Sequence, residues 1–281
     1  MIRLSRPFVL PLLALALVAC RDEAPRAPAV PPPPPPAEAP LAEPPREPVE
    51  LADVVETDPR YIVGITYPPE VNRYPGLAAE LKAYSDAARE DLMEAVAGLE
   101  ADATAGTLYD LALEYKVIAD TPEIFAVAAD GSSFTGGAHG APLIARFVWL
   151  PQQDRLLTAD ALVRGPEAWR AIARYVREQL HAALSQRVDA DDLDPAERER
   201  VVRSAGRMID EGATPEADSF SEFEPVTGAD GRLVALRFVF PPYQVGPYSD
   251  GVQTVEVPAA VLLPHVAEAY RPLFSEASAP Q

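Results

Sequence analysis

The sequence predicts an α+β fold, mainly antiparallel sheet with packed helices, in two intimately associated subdomains. Three observations carry this reading. Several short segments alternate apolar and polar residues, as half-buried strands do. Two long stretches repeat apolar residues every three or four positions, as amphipathic helices do. Strands and helices come in runs rather than in regular alternation, which points away from a doubly wound parallel sheet.

Taken in order, "YIVGITYP" (61–68) reads as a first strand. A helix follows on Leu77, Leu81, Tyr84, Ala88, Leu92, Val96 and Leu99, with Pro75 and Gly76 at its start. In "LYDLALEYKVI", Tyr109, Leu111, Leu113, Tyr115 and Val117 alternate with Asp110, Ala112, Glu114 and Lys116, which gives a strand with one buried face. "EIFAVAAD" and "PLIARFVWL" are two more strands, and "RLLT" a further one after a turn at "PQQD". Trp169, Ile172, Val176, Leu180 and Leu184 form the stripe of a second helix over 167–187. Asp194 and Pro195 open a shorter helix with Val201, Val202, Ala205 and Met208. "DSFSEFEPV" and "RLVALRFVF" flank "TGADG" as a hairpin. "PPYQVGPYSDG" is a loop, "VQTVEVP" a strand, and 259–270 a closing helix. No internal repeat stands out. The boundaries set by these elements are 51–165 for an N-terminal subdomain, 166–274 for a C-terminal one, and 275–281 for a tail.

The first 19 residues read as an export signal. Arg3 and Arg6 precede an apolar run from Phe8 to Val18 that is short for a membrane span. Leu17-Val18-Ala19-Cys20 resembles the lipobox of bacterial lipoproteins, in which the cysteine is lipidated and becomes the first mature residue. Cys20 is also the single cysteine of the chain. A mature protein of this kind has no disulfide and no thiolate nucleophile or cysteine metal site. Arg21 rather than Asp follows Cys20, and the resemblance to bacterial lipoproteins then implies the outer membrane, facing the periplasm, with the inner membrane or the cell surface as alternatives. Residues 20–50 form a tether rich in Pro, Ala and Glu, with prolines from Pro31 to Pro36. Such a composition buries no core, and thirty residues at about 3.1 Å each reach about 90 Å when extended.

The formal net charge is −19. Loss of Arg3 and Arg6 with the signal brings the mature chain to about −21. This balance excludes a nucleic-acid partner, which requires a basic footprint. It suits a basic protein partner steered by opposite charge, and it equally suits simple solubility.

Four segments, "YPPEVNRYPGL", "SFTGGAHG", "RLLTADALV" and "FVFPPYQVGPYSDGVQTVEVP", together resemble a pair of extracytoplasmic domains of unknown function. That pair forms the outer part of the RsiV anti-sigma factor and the accessory region of PdaC-type peptidoglycan deacetylases. The resemblance spans nearly all of 55–274. It implies an α+β fold and, from RsiV, recognition of lysozyme. The deacetylase chemistry of PdaC belongs to a separate metal-dependent domain whose motifs are missing here. No cofactor is implied. Without a cytoplasmic anti-sigma part, signalling to a sigma factor does not carry over.

Catalytic motifs are scarce. The three histidines, His139, His181 and His265, lie far apart in sequence, and no zinc-ligand spacing, nucleophile elbow or phosphate loop is present. Two loops carry the candidate ligand-binding residues: Phe134, Thr135, Gly136, Gly137 and His139 in the first, Tyr243, Tyr248 and Asp250 in the second. Adjacent glycines permit positive φ and a tight reversal, so the first loop reads most simply as a structural turn, with ligand binding or catalysis through His139 as alternatives. The two tyrosines read either as covers for the core or as exposed binding anchors. Trp149 and Trp169 are expected in the core. The functional expectation is a lipid-anchored, non-catalytic periplasmic module that binds peptidoglycan or a basic wall-degrading enzyme such as lysozyme. The alternatives are an envelope hydrolase using His139 with a carboxylate, and a structural envelope protein assembling through a sheet edge.

Overall fold

The computed structural model describes residues 49–99, 108–191 and 193–275. The signal peptide, Cys20, the tether up to residue 48 and the tail beyond Ser275 lie outside the described residues. The described residues cluster as one compact unit.

The fold is α+β. A six-stranded sheet runs in the order β1 (Val54–Asp58), β2 (Tyr61–Thr66), β3 (Tyr109–Asp120), β4 (Phe125–Phe134), β5 (Ala141–Leu150) and β6 (Arg155–Leu156). Its pairs are antiparallel except β2 with β3, which are parallel. A parallel pair needs a crossover, and α1 (Pro75–Ala97) lies between those two strands in the chain. Pro75 occupies the first helical position, where its missing N–H costs nothing. Leu77, Leu81, Ala88, Leu92 and Val96 of α1 are buried with Val63, Ile65, Leu111, Leu113, Tyr115, Val127 and Ala129 of the sheet in a first core.

The opposite face of the same sheet belongs to a second core. Ile124, Ala126, Val148 and Leu150 share it with the C-terminal half. This explains why Phe125–Ala129 is buried without alternation: both of its faces are covered. After β6 come a short α2 (Ala159–Leu162), then α3 (Pro166–Ala190) and α4 (Pro195–Gly212). The carboxylate of Asp194 caps α4 by accepting from the N–H groups of Ala196 and Glu197, both at 2.9 Å. A three-stranded antiparallel sheet follows, β7 (Phe223–Thr227), β8 (Leu233–Phe240) and β9 (Gln253–Pro258). Trp169, Ile172, Val176, Leu180 and Leu184 of α3 enter the second core with Phe220, Phe223, Phe238 and Phe240. Trp149 and Trp169 are both buried, as their sequence context indicates.

Two expected elements differ and one strand is added. The closing helix over 259–270 reduces to one turn, α5 (Ala259–Leu262), followed by a separate 3-10 turn at Glu268–Leu273. Pro264 has no N–H to continue the ladder, and the chain leaves the helix so that Val266 bridges Val163. The strand expected from "DSFSEFEPV" begins only at Phe223, because Ala217–Phe220 makes a 3-10 turn that sends Phe220 into the core. The strand β1 is additional, an edge whose pattern is blurred because Val55 points to solvent at 80% exposure.

The two sheets are joined through a nearly buried cation. The Arg146 side chain on β5 is 6% exposed and Glu224 on β7 16% exposed. Arg146 Nε donates to Glu224 Oε1 at 2.7 Å, Nη2 to Asp130 Oδ1 at 2.9 Å, and Nη1 to the carbonyls of Ala145 (2.9 Å) and Ala129 (3.3 Å). Its backbone N–H donates to Glu222 Oε2 at 2.5 Å. Burial raises the Glu222 carboxyl above its ordinary value despite that bond and the Arg146 charge. Nearby Tyr84 is pushed up to about 12, first by desolvation and then by the charges of Glu222 and Asp130.

Candidate functional site

The site grows from two loops that the fold brings together. The first links β4 to β5. Ser133 and Ala141 are its last paired residues, and Gly136 and Gly137 take φ of 101° and 99°. Those angles lie in the region that side chains rarely adopt, so the glycines are what allow the reversal. Phe134 closes β4, half-buried and opposite Asp110, and so belongs to the strand. Thr135, Gly137, Ala138 and His139 are exposed.

The second loop links β8 to β9. Its inner part is fixed by Gln244, whose side-chain amide donates to the carbonyls of Gly212 and Ser219, both at 3.0 Å. Val245 beside it is buried. The end of α4 presses on this anchor: a Cβ on Gly212 would sit 1.8 Å from the Gln244 carbonyl oxygen. With Gln244 and Val245 held inward, Tyr243 turns outward. It adopts a φ of 75° and is 53% exposed. A tyrosine at positive φ carries a backbone cost of about 1–3 kcal/mol. At the far end of the loop, Tyr248–Asp250 forms a 3-10 turn. Asp250 accepts from Arg187 of α3 at 2.8 Å, and its carbonyl accepts from the Gln253 side chain at 2.6 Å.

His139 meets both tyrosines. Its ring stacks on Tyr248 with centroids 3.9 Å apart and planes at 10°. The Tyr243 hydroxyl lies 2.8 Å from Nε2, while Nδ1 faces the Gly140 carbonyl at 3.4 Å. The Tyr243 and Tyr248 rings are 5.7 Å apart. With the proton on Nδ1, Tyr243 donates to Nε2; with both nitrogens protonated, Nε2 donates to the hydroxyl oxygen. The hydrogen bond survives either state, and the cationic ring gains an aromatic face beneath it. The result is an aromatic platform built across two sheets, with His139 and Tyr243 exposed and Tyr248 half-buried.

The sequence candidates therefore divide. His139, Tyr243 and Tyr248 converge, so the two tyrosines are a platform and not simply covers for the core. Asp250 orients the second loop through Arg187. Gly136 and Gly137 shape the first, and Phe134 and Thr135 make no described contact with the platform. Sequence reading passed over Arg187, Gln244 and Gly212. Only Gln244 left a trace, as an amide inside a loop of prolines and tyrosines.

Acid–base chemistry at His139 requires a carboxylate within hydrogen-bond reach. Among the described residues, the partners of the ring are Tyr243, Tyr248 and Gly140. Among the described residues no three His, Cys, Asp or Glu side chains converge as metal ligands. No described helix is long and apolar enough to cross a membrane. The outer strands of the six-stranded sheet are five-residue β1, which includes Glu56 and Asp58, and two-residue β6, which pairs only with Trp149 and Leu150 of β5.

Residues 162–260 match the DUF3298 family model, described as a protein of unknown function. The DUF3298 segment contains α3, α4, the three-stranded sheet and both tyrosines of the platform, while His139 lies before it. A crystal structure of a DUF3298 family protein from Pseudomonas aeruginosa is 16% identical, with a TM-score of 0.51 over 80% of this chain and 94% of that one. A DUF3298 family member from Bacteroides fragilis is also 16% identical, with a TM-score of 0.48 over 78% of this chain and 92% of that one. At such identity the likeness to the Pseudomonas protein concerns the fold alone. No curated protein matches the chain.

Proposed function

We propose that this chain is a non-catalytic recognition module carried on the bacterial envelope by a lipid on Cys20, with the His139–Tyr243–Tyr248 platform as its recognition face. The observation that carries the reading is the exposure of Tyr243, held at a backbone position that costs free energy, beside the stacked His139–Tyr248 pair. Exposed, rigid tyrosines supply contact area with little entropy left to lose, which is what interface anchors need. The favoured partner is a basic wall-degrading enzyme of the lysozyme type. The net charge of −19 supports this through steering, and the resemblance to the outer region of RsiV makes lysozyme the first probe. Peptidoglycan is the second reading, favoured by the flat faces of Tyr248 and His139, which suit the apolar face of a sugar ring.

Calorimetric titration of the full chain with lysozyme, at low and at physiological salt, tests the proposal. Binding at micromolar concentration or tighter, weakened by salt and by Tyr248→Ala, is the expected result. Absence of heat at both salts removes lysozyme and leaves muropeptides as the next titrant. Binding that Tyr248→Ala and Tyr243→Ala both leave unchanged overturns the platform as its seat.

A further inference from the structure

A second groove, apart from the platform residues, has the opposite electrical character to the rest of the molecule. It encloses about 550 Å³ between β6, the segment after α2 and the stretch from Pro264 to Arg271. Its walls are stitched together by the Val163–Val266 bridge and by the Ala267 N–H donating to the Leu162 carbonyl at 2.8 Å. Arg155, Arg164, Arg271 and His265 line it, and Glu268 is the one carboxylate in the lining.

The chain holds 43 acidic residues against 24 Lys and Arg, so an arginine here has carboxylates in ample supply. Four of the eight described arginines outside the α-helices use them: Arg60, Arg73, Arg146 and Arg237 make ion pairs. Two arginines of the groove, Arg155 and Arg271, bond neutral groups instead. Arg155 donates through Nε and Nη2 to Gln153 Oε1 at 3.0 and 2.8 Å, and through Nη2 to the Tyr270 hydroxyl at 2.5 Å. Arg271 Nε donates to the Val266 carbonyl at 3.1 Å. Arg164 acts on Asp160 at a distance, but that carboxylate accepts from the Thr158 hydroxyl at 2.5 Å. Neutral partners aim a guanidinium without cancelling its charge. Guanidinium groups held in this way present paired N–H donors that match the oxygens of a planar or tetrahedral oxyanion.

We infer that this groove binds an oxyanion, a carboxylate or phosphate group carried by a small molecule or a chain terminus. The recognition is separate from the aromatic platform and does not depend on what that platform binds.

The test is titration of the full chain with pyrophosphate and, separately, with citrate, followed by calorimetry and by the arginine Nε–H signals in NMR. Saturable binding of either probe, weakened about tenfold or more in R164Q/R271Q, is expected. Preference for pyrophosphate assigns a phosphate ligand, and preference for citrate a carboxylate. R174Q/R207Q, which removes two exposed arginines from α3 and α4, is expected to stay within about twofold of the parent. Non-saturable heat with both probes, unchanged affinity in R164Q/R271Q, or an equal loss in R174Q/R207Q overturns the inference.

Discussion

The N-terminal sheet meets the C-terminal half at two polar places that differ in kind. At Arg146 the contact is ionic and nearly buried: each of the three guanidinium nitrogens finds a carboxylate or a carbonyl. At His139 the contact is aromatic and exposed, with one hydrogen bond and one stacked face. The first joint holds the halves in register, since an unpaired buried charge is costly. The second adds little to stability and leaves its surface open. A contact that is not needed for folding is free to be used on a partner.

That contrast is tested most strongly at Arg146. Arg146→Met removes the nearly buried side of the pair and leaves Glu224 with only the longer contact to Arg237, at 3.3 Å. A loss of about 3–5 kcal/mol in chemical denaturation is expected. A loss under about 1 kcal/mol would make this joint as dispensable as the exposed one. Next in size is Gly212→Ala, whose methyl group has no room beside the Gln244 carbonyl. Overpacking there is expected to cost about 1–3 kcal/mol and, by moving the loop, to weaken partner binding as well. Tyr248→Ala separates the two roles: about 2 kcal/mol or more lost from binding, with about 0.5–1.5 kcal/mol or less lost from stability.

Two smaller effects sharpen the picture. Because burial raises the Glu222 carboxyl, the folded chain holds a proton that the unfolded chain has released, and stability from this group falls as pH rises through that window. Glu222→Gln keeps an oxygen for the Arg146 N–H. It is expected to gain less than about 1 kcal/mol on the parent at neutral pH, with the gain vanishing below about pH 4.5. Thermal melts across pH measure both. Tyr243→Phe, last, deletes only the exposed bond to His139 and is expected to change stability by less than about 1 kcal/mol.

Local chemistry made much of the fold legible. The 3.6-residue stripes of α1 and α3, the alternation in β3 and the Asp194 cap state their roles in consecutive residues. The closing helix misled because Ala259–Leu263 is helical in pattern, and only Pro264 marks the break. The site was half legible. Glycines and tyrosines named the two loops, but nothing in either loop says that residue 139 meets residues 243 and 248, since that contact depends on how one sheet is laid on the other. Arg146 within "LIARFVWL" was the available signal for that docking, a lone charge in an apolar strand that needs a distant partner.

The two-sided strand β4 has a consequence for how the protein is made. Its face carrying Ala126, like the Val148 and Leu150 face of β5, is covered by residues as late as Tyr270 and Phe274. The second core can therefore close only once residue 274 has emerged into the folding compartment, and until then an apolar sheet face stands open. A chain truncated between the two halves would leave that face uncovered, which makes the last residues of the second core as necessary to the first sheet as its own strands.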